Sequence, residues 1–263
     1  MQHTISIIIP ILNEAETIEN LLNYLIENSA TKNIAEIIVV DGGSSDGSQN
    51  IVNSFVTSSD SEQSSDSYRE ADNQKGLDTS RFRRDTRPDV FLIHSEKGRA
   101  KQMNLGAQKA KGNILYFLHA DSFPPQHFDT FIINEVINGK QAGCFTMQFN
   151  SNHWWLKLAG WFTKFNWKIC RGGDQSLFIT KELFDDIGGY DESYVICEDS
   201  VIVKKLYAKK HFTVINKKLT TSARRYEKNG IWKLQYHFFR IHLMKYFGAS
   251  AETLLSYYKK HIN

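Results

Sequence analysis

Cysteine is nearly missing from this chain of 263 residues: Cys144, Cys170 and Cys197 stand apart, with no CxxC pair. That spacing argues against a disulfide framework and a zinc site, and it fits a reducing compartment. Long apolar runs are missing too. No stretch approaches the roughly 20 residues that span a bilayer. MQHTISIIIP lacks the basic region and long apolar segment of a secretory leader, so a cytoplasmic protein is expected. Nor is charge of one sign in excess, the formal net value being +3. No basic stripe on a recognisable module points to a nucleic-acid partner.

Alternation of apolar patterns is what the chain does carry. Residues 5–10 (ISIIIP) form a β-branched run closed by proline, as in a strand buried on both faces of a parallel sheet. Ile18, Leu21, Leu22, Leu25 and Ile26 recur at helical spacing, with Asn13 placed as N-cap and Glu14 and Glu16 in the first turn. Residues 36–40 (EIIVV) read as a second strand ending on Asp41. The turn DGGSSDGS follows, then a helix marked by Ile51, Val52, Phe55 and Val56. Residues 57–89, rich in Ser, Asp and Arg without apolar period, read as a mobile insertion. A strand at 90–94, a helix over 99–111 stopped by Gly112 and a strand at 114–118 resume the pattern.

Beyond residue 122 the pattern is less regular. Strands are expected at 143–149 and 175–180, and an aromatic helix at 153–167. Helices follow at 181–187 and 200–210, an extended segment at 212–223, and two helices within 231–258 broken near Gly248. The sum is one α/β domain with a mostly parallel, Rossmann-like central sheet, flanking helices and a helical C-terminal end.

In open α/β sheets ligands bind outside the carboxyl ends of the strands. Asn13, Glu14, Asp41, Asp46, His119 and Asp121 all fall there. A carboxylate such as Asp41 can accept from a ring N–H or a ribose hydroxyl, and the glycines after it admit close backbone approach. Its loop carries neither GxGxxG nor GxxxxGK[ST], so neither a nicotinamide reductase nor a P-loop phosphotransferase is supported. Asp121 is the hard oxygen ligand that Mg²⁺ or Mn²⁺ needs when bridging a diphosphate. A cap for the helix after Pro124 and Pro125 is the alternative role for Asp121, and a structural role is the commoner one for His119.

Taken together, IIIPILNEAETIENLL, EIIVVDGGSSDGS, EKGRAKQMNLGAQKAKG, LYFLHADS, ELFDDIGGYDE and VICEDSVIVKKL resemble the family 2 glycosyltransferases over residues 4–56 and 90–230. HAD in place of DxD, with GDQSLFIT and TSARRYEKNG, is similar to a subgroup associated with radical-SAM and selenodomain proteins. The resemblance implies a GT-A fold and transfer of a sugar, with inversion, from a nucleotide-diphosphate donor, UDP first, to an acceptor hydroxyl. It puts Pro10, Leu12, Asn13, Glu14, Asp41, Gly43, Ser44, Lys97, Arg99, Asn104, His119 and Ala120 on the nucleotide. Asp121 falls on the metal, Arg224 and Arg225 on the diphosphate, and Asp174 and Gln175 on the acceptor, a saccharide, lipid or small molecule. Asp199 is the implied general base, with Glu198 as fallback. Residues 1–122 become the nucleotide-binding half, 123–230 the acceptor-binding half and 231–263 the C-terminal helices. His119 departs from the family, standing where its first DxD aspartate stands.

From residue 224 onward eight Lys or Arg face only Glu227 and Glu252, so the rest of the chain is net negative. The resemblance puts the aromatic segment HWWLKLAGWFTKFNW at the acceptor site, where its rings could stack on sugar or lipid, although core packing is the commoner role of such a helix. For IWKLQYHFFRIHLMKYF, packing on the sheet or on a second subunit is the first expectation. Peripheral contact with the inner face of a membrane, useful with a lipid-linked acceptor, is the second. Two rival functions share the architecture: a sugar-nucleotide-forming nucleotidyltransferase and a non-catalytic sugar-nucleotide sensor. The first would carry a glycine-rich Arg/Lys loop after strand one, where PILNEAE stands, and only His119 favours the second.

Overall fold

Ile5–Ile11 (ISIIIPI) forms β1 and is buried at every position, as a parallel strand covered on both faces must be. The computed structural model describes residues 2–56, 87–172 and 175–262. Within them the other strands are β2 (Ile34–Asp41), β3 (Val90–His94), β4 (Ile114–Phe117), β5 (Ser122–Phe123), β6 (Ala142–Phe149), β7 (Leu177–Thr180) and β8 (Phe212–Thr221). The helices are α1 (Ile18–Asn28), α2 (Ser48–Asn53), α3 (Arg99–Lys109), α4 (Phe128–Ile137), α5 (Trp154–Phe162), α6 (Lys181–Asp186), α7 (Glu198–Lys209), α8 (Arg224–Asn229), α9 (Ile231–Tyr246) and α10 (Ala251–His261).

One sheet runs β3-β2-β1-β4-β7-β6-β8-β5. β1 pairs in parallel with β2 and β4, β2 with β3, and β6 with β8. β7 is antiparallel to β4 and β6, and β5 to β8. β4 and β5 follow each other in the chain yet stand four places apart in the sheet. A flat sheet would separate them by roughly 19 Å. The link between them is a turn in which Ser122 N–H donates to the His119 carbonyl at 3.1 Å. The sheet therefore curls, and β8, with a register shift beside Phe145 and Thr146, returns Thr221 and Thr220 to Ser122 and Phe123.

Alternation along β1 feeds two cores. Ile5, Ile7, Ile9 and Ile11 pack with α1 and α4, whereas Ile8 packs with α3, α6 and α7. Gly106 lets α3 lie close to β1, since a Cβ there would stand 2.5 Å from Ile8 Cγ2. A third core, around Leu156, Tyr226, Leu234, Ile241 and Leu254, joins α5, α8, α9 and α10.

Several boundaries differ from expectation for local reasons. Asn13 is not a helix N-cap. It takes a left-handed conformation (φ 58°), and α1 starts only after Thr17. The aromatic helix stops at Phe162, where Arg171 Nη2 donates to the carbonyls of Thr163 at 2.5 Å and Phe165 at 2.7 Å. The helix expected from residue 200 begins at Glu198. β5 and α8 carry too few residues to show a period. Most of the expected insertion, through residue 86, lies outside the described residues.

Candidate active site

The loops after β1 and β2 are stitched together. Asn13 N–H donates to Ser44 Oγ at 2.9 Å, and Asn13 Oδ1 accepts from Ser45 N–H at 2.8 Å. Glu14 N–H donates to Ser48 Oγ and Ala15 N–H to Asp46 Oδ2, both at 2.9 Å. The left-handed turn at Asn13 is what aims its amide across. Asp41 organises the second loop from beneath: its carboxylate accepts from Gly43 N–H, Ser44 N–H, Ser44 Oγ and Gln49 Nε2. Burial pushes the Asp41 carboxyl upward, but the bonds from Ser44, Gln49 and Gly43 outweigh it and hold the group below its ordinary value. Both carboxylate oxygens of Asp41 are thereby engaged within its own loop. The side chain is wholly buried and shapes a loop that presents the exposed Gly43.

On α3 a residue that sequence reasoning missed ties the two strand ends together. Gln102, almost fully buried, donates from Nε2 to the carbonyls of Ile11 and Val40, each at 2.8 Å. Only its place on a helix face otherwise lined by Ala100, Met103 and Ala107 could have flagged it. Asn104, on the same helix, reaches the loop before α7. Its Nδ2 donates to the Tyr190 carbonyl at 2.9 Å and Glu192 Oε1 at 2.8 Å, and its Oδ1 accepts from Tyr190 N–H at 3.0 Å. Both ends of the amide hold the GGYDE loop. Lys97 is exposed just before α3, Leu12 is half-buried, and Pro10 lines the crevice.

His119 and Asp121 are half-buried in the turn from β4 to β5, and Ala120 is buried between them. α4 is preceded by His127, so Asp121 does not cap it. Ser222 N–H donates to the Asp121 carbonyl at 3.2 Å and fixes the turn against the end of β8. The two neighbouring arginines part company. Arg224 Nη2 lies 3.1 Å from Glu14 Oε2 and its Nη1 3.7 Å from Glu16 Oε2. The Glu14 hydrogen bond, with the Asp121 and Glu16 charges farther off, raises its pKa against the opposing effect of burial. Arg225 bonds the Tyr258 hydroxyl and lies 5.8 Å over the Phe238 and Tyr258 rings. This side chain thus packs against the C-terminal helices.

Glu198 and Asp199 open α7 on the opposite wall, after Cys197 in a left-handed conformation. The Arg99 guanidinium meets both, with Nε 2.9 Å from Glu198 Oε1 and Nη2 2.5 Å from Asp199 Oδ2. The guanidinium fork suits two adjacent carboxylates. Glu198 is only 3% exposed, whereas Asp199, at 16%, reaches a hollow that it lines with Pro10, Leu118, His119, Gln175 and Tyr190. Burial, then the Asp199 charge, drives the Tyr190 hydroxyl well above its ordinary pKa, so it stays a neutral donor. Gln175, buried, donates to the Cys170 carbonyl at 3.3 Å and also lines a second hollow with Asp199, Arg171 and Ile202. Asp174 lies outside the described residues.

Among the described residues no three His, Cys, Asp or Glu side chains converge as a complete metal cage. Asp121, with His119 two residues before it, offers one or two ligands. That number fits Mg²⁺ or Mn²⁺ when phosphates and waters supply the remaining ligands.

A curled mixed sheet, stitched loops at its strand ends and a carboxylate pair across the crevice define a GT-A glycosyltransferase fold. Residues 6–190, well over half the chain, match Glycosyl transferase family 2, and the protein belongs to that family. Over 124 residues, 47% of this chain, it is 28% identical to Glycosyltransferase AglE of Haloferax volcanii. The mannosyltransferase PcManGT of Pyrobaculum calidifontis, in complex with GDP-Man and Mn²⁺, superposes with a TM-score of 0.59 at 19% identity over 92% of the chain. S. aureus TarS 1-349 in complex with UDP gives 0.59 at 15% identity over 83%. The chain spans 32% of the length of AglE, 61% of PcManGT and 60% of TarS 1-349.

Proposed function

We propose that the chain transfers a glycosyl group, with inversion, from a nucleoside-diphosphate donor to an acceptor hydroxyl, with Asp199 as general base. The observation that carries this is the position of Asp199: it opens α7, is oriented by Arg99, and shares a hollow with His119 and the end of β1. In-line attack needs a base on the face opposite the leaving group. The donor would lie along the stitched loops, Asp121 and Arg224, and the acceptor near Asp199 and Gln175. The acceptor proton passes to the Asp199 carboxylate as the new glycosidic bond forms and the bond to the nucleoside diphosphate breaks. Glu198, buried against Arg99, supports the pair instead of reacting. A divalent metal, when bound through Asp121, would neutralise charge gathering on the departing diphosphate.

UDP is the first candidate nucleotide, by resemblance; the UDP bound to TarS and the GDP-Man with Mn²⁺ bound to PcManGT support the donor class and the metal. HAD, GDQSLFIT and SARRYE support the radical-SAM-associated subgroup, and the sequence supports a cytoplasmic enzyme. Replacing Asp199 by Asn should leave donor binding intact and lower release of nucleoside diphosphate on the order of 10³-fold. Unchanged turnover would remove Asp199 as base. Melting shifts with UDP or GDP should grow with Mn²⁺ in the native protein and lose that increment in Asp121→Ala. An equal Mn²⁺ response in both would exclude Asp121 as ligand.

A further inference from the structure

Among the described residues, all but one of the exposed large hydrophobic side chains fall between residues 154 and 247. On α9 these are Trp232, Tyr236, Phe239, Leu243 and Tyr246, spaced i, i+4, i+7, i+11 and i+14 in one solvent-facing stripe. Leu234 and Ile241 on the same helix face the core instead. α5 carries a second stripe, Trp154, Leu158, Trp161 and Phe162, continued by Trp167 and Ile169. Ring contacts of Trp232 with Trp154 at 5.9 Å and Trp155 at 5.3 Å join the two.

Charge on this face has one sign. Residues 151–172 and 228–251 contain no Asp or Glu. Lys157, Lys164, Lys168, Lys228, Lys233 and Arg240 within them are exposed. Protein–protein interfaces favour aromatics but are depleted in lysine, so the lysines argue against a protein partner. Trp and Tyr with interleaved lysines suit the headgroup zone of a bilayer instead, where the rings reach the acyl boundary and the ammonium groups meet lipid phosphates. Lys164 Nζ already lies 3.8 Å over the Trp161 ring, joining cation and aromatic in one unit.

We propose that the face formed by α5, residues 163–169 and α9 docks on an anionic phospholipid bilayer. No described helix is long and apolar enough to cross a membrane, so the contact is along the surface. It adjoins the crevice: Lys245 of α9 donates to the Cys197 carbonyl at 3.0 Å, next to the start of α7. The proposal rests on exposure, spacing and charge and stands whatever reaction the crevice performs.

The test is flotation of the full chain with phosphatidylcholine vesicles, with and without phosphatidylglycerol. Binding is expected only with the anionic lipid, and to weaken with salt. Lys157→Glu with Lys233→Glu should lower the partition coefficient by more than about 25-fold, since each surface cation contributes roughly fivefold. Phe239→Ser with Tyr246→Ser should lower it at least tenfold at constant charge. Unchanged thermal melts would certify these surface variants as folded. Failure to float with anionic vesicles would overturn the proposal. So would equal binding to both lipids, or a dimer in sedimentation that Phe239→Ser dissociates without any vesicle binding, which would assign the face to a second copy.

Discussion

The loops after β1 and β2 and the helices α5 and α9 treat their side chains in opposite ways. In the loops Asn13, Asp41, Ser44, Asp46 and Ser48 bond one another or each other's backbone. On the helices nine large apolar side chains lie open while the cations among them project outward. Polarity in a motif is therefore not itself a sign of ligand contact. A Ser/Asp-rich loop can use its polar atoms to fix a backbone shape, leaving recognition to peptide groups. Exposed apolar surface, costly to hydrate, is the more direct mark of an outside partner.

The comparison can be broken by substitution, beginning with the largest effect after that expected for Asp199→Asn. Arg99→Ala should lower turnover tenfold to a hundredfold on the order of a small misplacement of the reacting group, with donor affinity kept. Arg99→Lys should recover part of it, and the pH profile of the Ala variant should move because a cation has left the Asp199 carboxylate. An unmoved profile would make Arg99 purely structural. Asp41→Asn should cost about 2 kcal/mol in denaturant unfolding, since an amide puts donors against donors in a buried pocket. The folded Asp41 pKa is depressed, so its stabilisation is present above the ordinary carboxylate range and lost as pH falls through the folded value. The Asn variant should therefore show a shallower acid limb. Unaltered stability would mean the loop is not self-supporting. Gly106→Ala should cost about 1–3 kcal/mol through overpacking against Ile8. Phe239→Ser, on the open helix face, should change stability by less than about 0.5 kcal/mol.

Local pattern carried much of the fold. The runs at β1, β2 and β4 and the helix stripes at α1 and α3 are readable because burial on these elements repeats within a few residues. β5 was not, since two residues hold no period and its partner, Thr221, is 99 positions away. Glu198 and Asp199 were legible only as the residues just before a helix expected from residue 200. Their clamp was not, because Arg99 stands 100 residues earlier and its place at a helix N-terminus says nothing about what it faces. Asn13 shows the opposite failure. Asn at a β–α junction usually caps the following helix, and here a bond to a residue 32 positions on displaced that local choice.

The turn from β4 to β5 also constrains chain length. Strand β5 joins the far edge of the curled sheet through a pairing only two residues long, Ser122 with Thr221 and Phe123 with Thr220. Adding or removing one residue between Leu118 and Asp121 would turn each of these side chains to the opposite face and part Ser122 from Thr221. A substitution of His119 would alter chemistry and leave the architecture standing. A single-codon insertion beside it would unfasten the edge of the sheet, so at this turn chain length is under tighter constraint than residue identity.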